Sequence, residues 1–431
     1  MSFTLFNLTD NLSISFKADA FAMTFAVLVL VVVACIGVFA YGYFEEKEMK
    51  KKFFVWYLIA AVVLVALSFA ANIITYYFFF ELLTLSTFPL VLAERSKESV
   101  LAALKYLFYS MFGAYNVLFG LFFVIKYADK SEFTTGGVFT AATLSEHGTL
   151  LLVCAFCMLI GFGVKAGMFP LHAWLPTAHP VAPCPASSML SGIIVKAGIV
   201  GMIRVVYQVF GCDFLSGTWV QTTVIILSII TIFVGSMVAL KEENLKKRLA
   251  YSTVSNLSYI VFGFMLFNKM AFAGAILQLV GHALCKSALF LCSGSFMHMG
   301  IRNVTDLNGI GKKMPYTMAG FTVASLGLIG IPPTAGFVAK WYLGSGAVAS
   351  GVAYLGYIGP IMLIISALLT AGYLLPIVRK GYFAEGEVAQ KASDAHEGGV
   401  MLTAPVLTLS LLAVAVGIVP VIALKCLNIF F

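Results

Sequence analysis

Six titratable residues, Glu81, Lys165, Lys196, His282, Lys286 and Lys340, stand in stretches otherwise apolar enough to lie in a bilayer. A lysine at mid-membrane costs about 2.5–3.5 kcal/mol on insertion scales, so the four lysines and Glu81 together cost roughly 10 kcal/mol or more before compensation. Glu81, in YYFFFELLTLSTFPL, is the only acidic residue inside a predicted span, so helix-packing ion pairs cannot account for all four lysines. Proton relay uses all of these groups together. Lysine can release its proton where arginine cannot, and the charge state of a lone carboxylate follows the position of a nearby cation. His282 and Lys286, spaced i, i+4 in LVGHALCKSALF, share one helix face and can exchange a proton directly or through water, a packing role for the histidine being the alternative. Lys105, His172, His179 and Arg204 form a second group of candidates. Lys105 and Arg204 lie close enough to span ends for their head groups to snorkel. Pro176 interrupts the register between His172 and His179, and Ser187, Ser188 and Ser191 precede Lys196 closely enough to hold water beside it.

The elements that position these residues follow from composition. The 431 residues are 61% hydrophobic and 11% charged, with a mean hydropathy of +0.99, which is a membrane composition. Windows of about 20 apolar residues predict about twelve helices, near 21–43, 53–72, 73–93, 101–126, 149–170, 186–210, 220–240, 248–267, 271–297, 316–350, 355–378 and 401–424. The fold class is therefore all-α integral membrane, with residues 1–431 one transmembrane domain. The first run is too long for a signal-peptide core and is read as a retained helix.

Two spans contain breakers beside a lysine. Around Lys165 these are Gly161, Gly163, Gly167 and Pro170; around Lys340 they are Pro332 and Pro333, flanked by Gly330 and Gly336. Irregular backbone at membrane depth is tolerated only where protein encloses it or it lines a watery cavity, so each break predicts an ion site. Taking 53–210 and 220–378 as two five-helix units puts the broken helix fourth in each, and the odd number makes the second unit enter from the opposite side. That is the inverted-repeat pattern of transporters.

Basic residues test the span count. They concentrate in alternate loops, at 47–52, 95–97, 241–248, 302–313 and 379–391, whereas the opposite loops hold Lys17, Lys126, Lys130, Lys269 and Lys425. By the positive-inside rule the first set is cytoplasmic and both termini face outward, in a cytoplasmic membrane. The +8 net charge is accounted for by this asymmetry, and nucleic acid need not be invoked. Cys154 and Cys157 form a CxxC inside an apolar helix, without a second pair, and read as small buried hydrophobes. No cysteine-rich cluster motif, dinucleotide fingerprint or haem signature points to redox cofactors in this chain.

Together these stretches resemble the antiporter-like, proton-translocating subunits shared by respiratory complex I, multi-subunit cation/proton antiporters and energy-converting membrane hydrogenases. The resemblance rests on FFELLTLSTFPL, LKYLF, VKAGMFPLHAWLPTAHPVAPCPASSMLSGIIVKAGI, GHALCKSALFLCSGS, HMGIRNVTDLNGIGKKMP and GFVAKW, over about 53–380. It implies a half-channel per repeat joined by a hydrophilic axis: Glu81 and Lys165 as the charge pair of the first repeat, Lys196 as connector, His282 and Lys286 as relay of the second, and Lys340 as terminal residue. It implies a non-redox subunit, driven by Fe–S, flavin or Ni–Fe centres in a peripheral arm, with other membrane subunits as neighbours. A Na+/H+ antiporter subunit is the alternative, although sodium prefers several hard oxygen ligands and the spans offer one carboxylate. The family commonly has fourteen core helices with its glutamate after four spans; Glu81 falls in the third, as though two N-terminal spans were missing.

Overall fold

The computed structural model describes residues 2–9, 12–383, 394–421, 426 and 429–430. Its helices are α1 (Ala20–Tyr43), α2 (Lys47–Ser68), α3 (Ile73–Val91), α4 (Lys97–Tyr127), α5 (Ala141–Ala166), the short α6 (Leu175–Val181) and α7 (Cys184–Phe210). There follow α8 (Trp219–Lys241), α9 (Leu245–Met265), α10 (Lys269–His298), α11 (Pro315–Ile329), α12 (Ala335–Val348), α13 (Leu355–Tyr382) and α14 (Val400–Ile418). Several begin where a side chain replaces the missing helical acceptor: Asp19, Asn72, Ser96, Thr140, Asn244 and Asn268 each accept a backbone N–H from the first turn.

Among the described residues, 10 helices are long and apolar enough to cross a membrane, against the expected figure of about twelve. The difference lies in α9 and in the broken pair. Helix α9 carries Lys246, Lys247, Arg248 and several serines, yet almost all of it is buried in protein, so its composition was never set by lipid. Helix α11 is a shorter apolar helix, separated from α12 by residues 330–334. The expected loop at 385–399 lies largely, and Lys425 wholly, outside the described residues.

Burial sorts the helices. α7 and α10 are buried along their whole membrane windows, while α1, α2, α4, α13 and α14 have less than half of theirs buried and expose large apolar groups such as Phe108, Phe122, Ile364 and Leu368. Exposed apolar side chains on an outer ring of helices are what lipid requires. α7 and α10, enclosed together with α9, are the helices that carry Lys196, His282 and Lys286.

The loops alternate between two ends as the charge pattern predicts. At one end Leu245 N donates to Arg302 O, Val304 N to Glu243 O and Gly309 N to Lys380 O, which ties three basic connections together. At the other end an antiparallel hairpin, β1 (Ser2–Thr9) and β2 (Leu12–Lys17), pairs Phe3 with Phe16 and Ser2 with Lys17. Lys17 N donates to Phe69 O, Ala71 N to Ser15 O and Phe133 N to Ala71 O, so the hairpin caps that end. The helical membrane fold expected from the sequence thus carries one short hairpin at its edge, whose backbone is satisfied by pairing.

The helix breaks also need one correction. Gly161 and Gly163 lie inside α5, which runs unbroken to Ala166. A Cβ on Gly161 would lie 2.5 Å from Gly113 O, so that glycine serves close packing of α4 on α5. The break is at Gly167, which ends α5 in the left-handed region at φ 74°; turns containing Pro170 follow. Its counterpart Gly330 ends α11 at φ 90°, and Pro332 and Pro333 lie in the connection to α12. Both positions require a residue without a Cβ.

Candidate functional site: buried lysines and the hydroxyls between them

Lys165 occupies the last turn of α5 and is buried. Its Nζ donates to Thr84 Oγ1 at 2.9 Å and to Tyr106 OH at 2.6 Å, and it stands 4.7 Å from the Tyr106 ring centroid. Tyr106 OH also shares a 2.7 Å hydrogen bond with Thr87 Oγ1, and its ring packs on Trp174, whose Nε1 donates to Val164 O. The expected Glu81–Lys165 charge pair is therefore not a direct contact: none of the ion pairs within 4.0 Å among the described residues joins them. Glu81 Oε1 is buried without a hydrogen-bond partner. Thr84 lies three residues on from Glu81, on the same face of α3, so the ammonium is bound one turn away from the carboxylate.

Lys196 and Lys286 are connected through protein groups. Helix α7 contains a π-helical turn at Leu190–Ile194; Val195 N donates to Leu190 O, and Lys196 Nζ donates to Ser191 O at 2.6 Å. Ser191 Oγ shares a 2.7 Å hydrogen bond with Thr253 Oγ1 of α9. Thr253 Oγ1 bonds to Leu249 O at 2.9 Å, and Lys286 Nζ donates to the same carbonyl at 2.9 Å. Two hydroxyls, of Ser191 and Thr253, and two backbone carbonyls, of Ser191 and Leu249, thus lie between the two ammonium groups across three helices. π-Turns inside α-helices mark functional positions often, and this one brings the Ser191 carbonyl to the lysine. His282, one turn before Lys286 on α10, is buried with both ring nitrogens lacking a partner.

Lys340 lies on α12 but reaches back across the break. Its Nζ donates to Leu328 O at 2.7 Å and Ile329 O at 2.6 Å, the open carbonyls at the end of α11, where the helix dipole favours a cation. The Tyr259 ring lies 5.4 Å away, and its hydroxyl donates to Ser366 Oγ, which joins Ser236 and Ser255 in a hydroxyl cluster.

The second group of candidates divides. Lys105 Nζ donates to Thr177 Oγ1 at 2.9 Å instead of snorkelling freely. Half-buried His172 packs its ring near Phe169 and Tyr251, with Nδ1 unpartnered. His179 is buried, stacks on Phe290 with centroids 4.6 Å apart, and has both nitrogens unpartnered. Arg204 is buried and ion-paired: Nη1 lies 2.7 Å from Asp19 Oδ2 and donates to Gln208 Oε1, so it holds the start of α1 against α7 and does not snorkel. Tyr106, Thr84, Thr87 and Thr253 were not singled out from the sequence. Tyr106 stands in LKYLF beside the residue that was, and a hydroxyl facing a buried lysine was the only signal available.

Tyr106→Phe removes one of two hydrogen bonds to the Lys165 ammonium. The expected cost is about 1–2 kcal/mol of stability, with proton translocation lowered a few-fold. Thermal unfolding and vesicle acidification measured on the same preparation check both.

A family model described as NADH:quinone oxidoreductase/Mrp antiporter, TM matches residues 70–370, which contain Glu81 and every buried lysine described above. The chain belongs to this family. A second model, NADH-Ubiquinone oxidoreductase (complex I), chain 5 N-terminus, matches residues 6–54. Among relatives of this antiporter-like chain, NADH-quinone oxidoreductase subunit N of Desulforudis audaxviator is 30% identical over 82% of this chain and 70% of its own length. Hydrogenase-4 component B of Escherichia coli is 30% identical over 73% of this chain and 48% of its own. The chain thus spans between about half and seven-tenths of these relatives. A chain of the Mrp complex from Dietzia sp. superposes with a TM-score of 0.85 at 22% identity, covering 100% of this chain and 87% of that one. One from the membrane-bound sulfane sulfur reductase, an archaeal respiratory membrane complex, gives 0.84 at 25% identity, with 100% and 70% covered. The fold of this multi-pass membrane protein is that of these antiporter-like subunits.

Proposed function

We propose that this chain is a proton-translocating antiporter-like subunit of a complex I-related or energy-converting hydrogenase assembly. Protons move through Glu81, Lys165, Lys196, His282, Lys286 and Lys340 and the hydroxyls and water between them. The observation that carries this reading is the bridge from Lys196 through Ser191, Thr253 and Leu249 O to Lys286. The hydroxyls of Ser191 and Thr253 can each donate or accept, so their hydrogen bond can reverse as a proton passes. Water carries the proton between each hydroxyl and the lysine beside it, since the two carbonyls only accept and serve to hold the ammonium groups in place. Lys105, His172 and His179 serve entry and linkage, and Arg204 acts structurally. Residues 53–210 and 220–378 act as two inverted half-channels, the first with Lys165 in the last turn of α5 and the second with the Lys340 ammonium on the open carbonyls that end α11. The chain sits in the cytoplasmic membrane with both termini outward. It works beside other membrane subunits and a peripheral redox arm that holds any Fe–S, flavin or Ni–Fe centres.

Thr253→Val keeps the volume and removes the bridging hydroxyl. Proton translocation by the assembled complex should fall about three- to tenfold, equivalent to roughly 0.7–1.4 kcal/mol on the transfer barrier, while Thr253→Ser restores it. Unchanged acidification by Thr253→Val would remove the bridge from the pathway. The second reading, a Na+/H+ antiporter subunit, is motivated by the fold shared with the Mrp complex chain. Replacing Na+ by a large organic cation during liposome transport separates the two, since only the exchanger stops.

A further inference from the structure

Between α12 and α13 a groove of about 610 Å³ opens sideways toward lipid, walled by Phe337, Trp341, Val348, Ile364 and Leu368 and floored by Lys340. Trp341 and Leu368 are 64% and 68% exposed, so its mouth opens on the apolar outer face of the chain. A Cβ added to Gly344, on the groove wall, would meet nothing within 4 Å. The floor is a cation whose hydrogen bonds go to the backbone carbonyls of Leu328 and Ile329; no ion pair within 4.0 Å among the described residues includes it.

We propose that this groove binds a long-chain fatty acid from the bilayer, with its carboxylate on the Lys340 ammonium and its chain against Trp341 and Phe337. The volume and the mostly apolar lining with one charged group match small-molecule sites, which run to about 300–1,000 Å³. A carboxylate on an acyl chain answers both the apolar walls and the ammonium without a counter-ion at the floor, whereas a partner helix would have to bring a rare carboxylate to membrane depth. An acyl chain gains little on leaving lipid that is equally apolar. Selectivity therefore comes from the ion pair, which is strong where the effective dielectric is low. When the acid arrives neutral at a neutral lysine, its carboxyl proton passes to Nζ, leaving carboxylate and ammonium. The bound acid holds Lys340 in its charged form and slows transfer through it. That consequence rests on the proposed proton pathway; the binding does not.

The test reads binding alone, on the full chain with its co-purifying subunits in lipid nanodiscs, by quenching of tryptophan fluorescence with dibromostearic acid and with dibromostearyl alcohol. The acid should quench at an at least tenfold lower concentration than the alcohol, and Trp341→Phe should remove that quenching. Lys340→Gln should bring the acid to the level of the alcohol. Gly344→Leu, which keeps Lys340 and fills the groove, should weaken the acid at least tenfold. Equal quenching by acid and alcohol, or binding unaltered in both Lys340→Gln and Gly344→Leu, overturns the proposal. Trp341 shielded from both probes in the assembled complex overturns it too, since a partner subunit then covers the groove.

Discussion

Lys286→Ala is expected to lower proton translocation at least tenfold while leaving the protein as stable as before, or more so. The two effects have separate causes. Lys286 is fully buried, and its Nζ hydrogen bond goes to the Leu249 carbonyl, with no carboxylate beside it. Burying an ammonium without a counter-ion costs several kcal/mol, and alanine removes that cost. The Leu249 carbonyl keeps the Thr253 hydroxyl as partner, so no acceptor is orphaned. Transfer, by contrast, loses the group that terminates the bridge from Lys196, and a tenfold loss corresponds to about 1.4 kcal/mol on the barrier. Acidification of vesicles and thermal unfolding of the same sample read the two quantities independently. A residue that served only packing would show the reverse, with lower stability and intact transfer.

Lys165→Ala should also abolish translocation, again at least tenfold, with assembly intact. Removing the side chain leaves Tyr106 OH bonded to Thr87 Oγ1, so the hydroxyl group survives without its cation. The loss falls on Glu81. Its Oε1 is buried and unpartnered, and Lys165 is bound to Thr84, one turn further along the same face. A shift of the ammonium by about one helical turn, 5.4 Å, would move it from hydroxyls to carboxylate. On the proposed pathway the cation has two positions, and alanine removes both. Subunit content measured by native gel, together with acidification, checks the expectation.

The buried lysines were legible because a charge in an apolar run has no background to hide in. The alternation of basic loops was legible for the same reason, and the backbone hydrogen bonds among residues 243–245, 302–304, 309 and 380 gather three of those loops at one end. Of the hydroxyls, Ser191 was legible from its place just before Lys196, but Thr84, Thr87, Tyr106 and Thr253 were not. Serine and threonine are common in membrane helices, and nothing in local spacing distinguishes Thr253, which meets Ser191 only because α7 and α9 cross there. Nor could the sequence distinguish Gly167, which adopts a left-handed conformation, from Gly161 and Gly163, which stay helical; all three stand within seven residues. The hairpin was readable in principle, since Leu12, Ile14 and Phe16 alternate with polar residues in the period-2 pattern of a strand. The apolar bulk of the chain outweighed it.

The central claim is that protons, with no need for sodium, cross through the lysines of this chain. The most direct test is the initial rate of acidification by the assembled complex in sodium-free vesicles, driven by its own donor at equal turnover, for wild type and Lys286→Ala. The expected result is full acidification by the wild type without sodium and less than a tenth of that rate in the variant. Acidification by Lys286→Ala equal to wild type, or a wild type that is silent until sodium is added, would contradict it.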